Sequence, residues 1–279
     1  MLAILLVEFL PNHASFLAQP QIPSELEICQ KLGDKRGIAT FLNELALVDW
    51  RLGEDVEAEQ LCQESLLIYQ EIGDRTGIAM GLKTLGNLAV EAQNYDLAQQ
   101  YYENGLKICQ EIGYQWGIAV FYNNLGDLAW SAGDYPAAKK LCEEGLVILR
   151  RIGHQWVIGG SLETLGNVAE AMGQYAEAKA YFREALQLAM DIQAIPLALD
   201  VLIGMAKLML RDGKKQNVLE ILAFVLNHPA IDQEGRRKAE RLLTTIASEL
   251  AAEIIASAQA KGKEKDFQEV VSEILNVTQ

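Results

Sequence analysis

The chain has 279 residues, half of them apolar, and its 38 Asp and Glu against 24 Lys and Arg give a net charge of −14. The apolar share excludes a largely disordered chain. A surface this acidic repels a phosphate backbone and excludes nucleic acid as a direct partner.

The first segment reads MLAILLVEFLPNH. It has no basic leader, carries Glu8 inside the apolar run and shows no small-x-small cleavage site, so no signal peptide is expected. The run is about half of the roughly 20 residues that cross a bilayer, so no membrane partner is expected either. Ala18 shares a 40-residue register with Ala58, and Pro20 and Pro23 interrupt the chain just after it. Residues 1–25 are therefore expected to form a degenerate half-repeat. Its bare apolar end predicts a preceding segment or head-to-tail homo-oligomer contacts.

From residue 26 to 225 the chain repeats itself every 40 residues, and the expectation is five helix hairpins, the last one degenerate. Leu45, Leu85, Leu125 and Leu165 form one column; Ala46, Gly86, Gly126 and Gly166 form the next. Ala58, Ala98, Ala138 and Ala178 share another, as do Gly33, Gly73, Gly113 and Gly153. Within a unit, small or apolar residues at 78, 79, 82, 85, 86, 89 and 90 trace the 3.6-residue stripe of an amphipathic helix. A second stripe runs through Leu97, Ala98, Tyr101, Tyr102, Gly105, Leu106 and Cys109. Between them lies a turn, AQNY in one unit and SAGDY or AMGQY in its sisters. Gly133 and Gly173 suit a left-handed C-terminal position, and Asp34, Asp74 and Asp134 suit N-caps. In the AQNY turn, Asn94 is expected to take the left-handed position. The small columns at 86, 126 and 166 and at 98, 138 and 178 let the paired helices approach closely.

From 226 to 279 the register fades. A long amphipathic helix, a break at Gly262 and a short last helix predict a C-terminal helical cap for the array.

The unit L-G-x-x-A, a Gly turn, then A-x-x-x-[YFLC] resembles the tetratricopeptide repeat in a 40-residue form. It is similar to the repeats of kinesin light chain and spindle-orientation adaptors, and to those of bacterial signal-transducing ATPases and the maltose-regulon activator. The resemblance implies an all-α fold, a right-handed α–α superhelix of helix hairpins whose first helices line a concave groove. Carried over by column, the groove residues are Asn43, Leu47 and Trp50; Met80, Lys83, Asn87 and Val90; Val120, Asn123, Asn124, Asp127 and Trp130; and Glu163, Asn167 and Glu170. Asn offers a donor and an acceptor, as a peptide backbone does, so an Asn ladder flanked by Trp suits an extended peptide or a protein partner. The fold itself is expected to need no Asn there. The family's grip on a terminal carboxylate is matched by Lys83, Asn87 and Asn124, but Gly160 and Thr164 replace its last two residues.

Catalytic signatures are lacking. His13, His154 and His228 are scattered, and there is no nucleophile elbow, H-E-x-x-H or G-x-x-x-x-G-K-[ST]. Neither an enzyme nor a cofactor or metal is expected. Cys29, Cys62, Cys109 and Cys142 form no C-x-x-C pair, and free thiols of this kind point to the reducing cytoplasm. The expected function is a non-enzymatic scaffold that binds a protein or peptide. The alternatives are the effector-binding sensor region of a signalling ATPase system and a self-associating scaffold.

Overall fold

Every twentieth residue from 33 to 213 adopts a positive φ. Eight of these are glycines; Gln93 (φ 58) and Gln193 (φ 57) are the other two. This ruler chops the chain into helices of nearly equal length. The computed structural model describes residues 22–247 and 250–277, and these contain fourteen helices and no strand. They fall into two compact units, and the chain passes from one to the other between Ala132 and Gly133. Most of the half-repeat expected over 1–25, and the self-association expected through it, lies outside the described residues.

The N-terminal unit holds α1 (Ile22–Leu32), α2 (Lys35–Leu52), α3 (Asp55–Glu71), α4 (Arg75–Glu91), α5 (Tyr95–Ile112) and α6 (Gln115–Ser131). The C-terminal unit holds α7 (Tyr135–Ile152), α8 (Gln155–Ala171), α9 (Tyr175–Asp191), α10 (Ile195–Arg211), α11 (Lys215–Asn227), α12 (Gln233–Ala247), α13 (Ala252–Glu264) and α14 (Phe267–Val277). Within each unit the chain forms antiparallel hairpins, α2–α3 and α4–α5 in one, α8–α9 and α10–α11 in the other. Each hairpin packs on the next, and successive first helices also touch.

The caps follow the sequence. Asp34, Asp74 and Asp134 accept the N–H of Gly37, Gly77 and Ala137 at 2.9, 3.1 and 3.1 Å. The AQNY turn departs from expectation. Asn94 does not take the left-handed position; it is the N-cap of α5 and accepts from Leu97 N–H at 3.4 Å. Gln93 takes the positive φ, because the cap needs an acceptor side chain one residue further on.

Close approach is achieved by pairing a glycine with a large ring. A Cβ on Gly86 would overlap Tyr102, one on Gly105 would overlap Phe121, and one on Gly77 would overlap Tyr69. In the C-terminal unit the Phe182 ring fits between Gly166 and Gly204, 2.5 and 2.6 Å from where their Cβ atoms would lie. Phe121 and Phe182 are fully buried as a result.

The break expected at Gly262 is absent. Gly262 lies inside α13, and a Cβ there would strike the Glu220 carbonyl and lie 2.7 Å from Ala223 Cβ. The glycine serves a helix crossing with α11, and the chain turns after Glu264 instead. Lys265 Nζ then joins Glu220 (3.1 Å) and Glu273 (2.5 Å), tying α11 to α14. Among the described residues no helix is long and apolar enough to cross a membrane.

Candidate partner-binding face

The first helices α2, α4 and α6 of the N-terminal unit stand side by side, with α3 and α5 packed behind them. The 40-residue register therefore places equivalent side chains in rows across the three helices. Asn43, Leu47, Trp50, Met80, Lys83, Asn87, Val90, Asn123 and Asn124 are half-buried along these rows, and Asp127 and Trp130 are exposed.

Asn87 contradicts the expectation that the fold needs no Asn here. Its Oδ1 accepts from the Tyr102 hydroxyl at 2.8 Å, so the fold uses its oxygen and leaves its NH₂ end over. Burial, joined by the charge of Asp127, pushes the Tyr102 phenol well up, which keeps it a donor at any physiological pH. The Cys62 thiol donates to the Gly81 carbonyl at 3.3 Å and lies 3.7 Å from Asn43 Oδ1. Burial pushes that thiol up to about 12, so it remains protonated. Lys83 Nζ lies 6.0 Å from the Trp116 ring centroid, a cation–π distance that restrains the side chain on this face. Asn124 Nδ2 is buried and has no protein acceptor.

Two wall residues behave differently. Val120 is only 8% exposed and belongs to the run Gly117–Phe121 that α6 buries, so it is a core residue. Trp50 packs partly against the core cluster of Ala46, Ala58, Cys62, Leu85 and Leu88. Trp130 is 39% exposed and is the large apolar side chain this face presents to solvent.

The Tetratricopeptide repeat family model matches residues 37–111 and 117–191, more than half of the chain. The chain belongs to the tetratricopeptide repeat family. No curated protein sequence matches it. Among solved structures, a Rap protein complexed with competence and sporulation factor is similar over 91% of this chain and 69% of its own, at 17% identity and a TM-score of 0.66. BtubC from P. vanneervenii matches over 62% of this chain and 80% of its own, at 22% identity and a TM-score of 0.51. A signal transduction ATPase with a tetratricopeptide repeat sensor, from Pyrococcus horikoshii, covers 99% of this chain at 16% identity and a TM-score of 0.60. This chain spans 47% of that ATPase. At these identities the likeness is one of fold.

The tetratricopeptide register also runs through the C-terminal unit. Glu163 and Asn167 of α8 are joined to each other at 2.8 Å, and Glu170 pairs with Lys207 of α10 at 2.5 Å. These two carboxylates are thus engaged within the unit. Asp200 and Lys207 occupy the columns of Met80 and Asn87, and extending the 40-residue ruler one unit further would have found both. Lys238 of α12 also faces this region and was not visible to the ruler. The helix containing it is capped by Asp232, 38 residues after the α10 cap at Ala194, so the register has slipped by two.

Proposed function

We propose that the first-helix face of the N-terminal unit holds an extended segment of a partner protein, and that the chain acts as a non-enzymatic scaffold. The observation that carries this reading is the row of restrained polar groups ending in an exposed aromatic. Lys83 is steadied by Trp116, Asn87 keeps its NH₂ available after Tyr102 takes its oxygen, and Trp130 offers apolar area at the end of α6. Amides can satisfy a peptide backbone, and a desolvated Trp is the residue type that most often dominates such binding. The fold shared with a Rap protein solved in complex with competence and sporulation factor supports the reading by analogy. Free cysteines, three of them buried, fit the reducing cytoplasm expected from sequence.

A linear peptide library displayed on phage tests it. Peptides enriched on the wild-type protein should lose binding to the triple variant Lys83→Ala, Asn87→Ala, Trp130→Ala by tenfold or more, about 1.4 kcal/mol, with helical circular dichroism retained. Enrichment of nothing, or peptides that bind the variant equally well, would remove the proposal.

The similarity of the ATPase sensor over nearly the whole chain favours a second reading, in which this region senses an effector for a signalling partner. Thermal-shift screening with metabolites separates the two: stabilisation by a small molecule that survives the triple substitution would support the sensor.

A further inference from the structure

In the C-terminal unit, α12 rests on α10 through a glycine and a carboxylate. Gly235 is buried in the first turn of α12, and a Cβ there would lie 3.0 Å from Asp200 Oδ1 and 3.2 Å from Asp232 Oδ1. Asp232 caps that turn by accepting the Gly235 N–H at 2.7 Å. One turn on, Lys238 pairs with Glu234 at 3.0 Å and acts electrostatically on both Asp200 and Glu163. The charges around Asp200 are Glu163 from α8, Asp232 before α12, and Glu234 and Lys238 from α12. Lys238 is the ammonium group that offsets these carboxylates.

We propose that α12 is a latch on the first-helix face of the C-terminal unit, closed when Asp200 carries a proton and loosened as rising pH removes it. The proposal is independent of what the N-terminal unit binds. Its physical basis is charge balance at a helix crossing. Ionising Asp200 adds one more negative charge for Lys238 to balance in a partly desolvated space. Burial, reinforced by Glu163, Asp232 and Glu234 and opposed by Lys238, raises the Asp200 carboxyl from 3.8 to about 7. Burial likewise raises Glu163. Burial pulls Lys238 down, but the surrounding carboxylates more than compensate and keep it charged.

The sign comes from linkage. A carboxyl raised in the closed state holds a proton that the open state gives up, so closing is most favoured below the ordinary value of 3.8, weakens as pH rises towards about 7 and levels off above it. If opening α12 returns Asp200 to its ordinary value of 3.8, the opening equilibrium rises about 30-fold between about pH 5.5 and 8.5. Amide hydrogen exchange on the full chain reads this directly, as protection factors corrected for intrinsic rates. Protection in α12 should fall at least about 30-fold over that range while α4 stays level, and Asp200→Asn, which copies the shape of the neutral acid, should lose that 30-fold share of the fall. Level α12 protection in the wild type overturns the proposal. So does the wild-type slope persisting in Asp200→Asn, or an equal loss in α4, which would report global unfolding.

Discussion

Tyr102 of α5 lies against Gly86 of α4, so that a Cβ on the glycine would fall inside the ring. The equivalent positions one repeat earlier hold Ala46 and Cys62, both fully buried. One register position is therefore filled in two ways, by nothing and a ring or by a methyl and a thiol. Gly86→Ala alone should destabilise the protein by about 1–3 kcal/mol through overpacking. Tyr102→Cys alone should cost about 2–4 kcal/mol, from the cavity and the lost bond to Asn87. Combined, the two should cost less than their sum by at least ~1 kcal/mol, as urea denaturation of the four proteins would show. Strict additivity would mean the pair does not share space.

Gln193 stands where the ruler otherwise places glycine, with φ 57. A non-glycine residue is strained there, whereas glycine is not. Gln193→Gly should raise stability by roughly 0.5–1 kcal/mol despite the added freedom of the unfolded chain, and Gln93→Gly should do the same. Thermal melts of the single and double variants check this; a fall in Tm would count against the strain.

Burial by itself would push the Asp74 carboxyl up. Arg36 Nε at 2.6 Å, with the N–H groups of Gly77 and Thr76, outweighs that and holds it below its ordinary 3.8. A depressed carboxyl contributes stability that is complete above 3.8 and lost as pH falls through the lower folded value. Asp74→Asn should therefore lower stability at neutral pH but flatten its acid limb below about pH 4. Melting temperatures at a series of acid pH values would show an unchanged slope if the pair is inert.

Gly262 and Lys265 hold the C-terminal helices to α11 by different means. Gly262→Ala should cost about 1–3 kcal/mol, because the Glu220 backbone it meets cannot rotate away. Lys265→Met leaves the nearly buried Glu220 with Lys261, at 3.9 Å, as its ion-pair partner among the described residues, and pairing it with Glu220→Gln should recover most of the loss. Chemical denaturation of the single and double variants distinguishes a shared clasp from two independent contacts.

The hairpin pattern was legible because helices, turns and caps are local. Asp34, Asp74 and Asp134 sit three residues before the amide they accept from, and a spacing of 40 reads each from the others. The AQNY turn shows where local reading slips: the identity of the left-handed residue depends on which neighbour is needed as a cap. Val120 shows another limit. Its column holds half-buried Met80, and only the packing of α6 moves the same position into the core.

The sequence by itself determined a helical ruler of 20 residues, its caps, and the small residues that let one helix approach the next, since each rests on neighbours close along the chain. Only the tertiary structure decided that Asn87 answers Tyr102, that Gly262 is a crossing point, and that Lys238 meets Glu163 and Asp200. Those contacts join helices whose register slips or whose side chains reach across a unit, and a linear repeat does not encode distances through space.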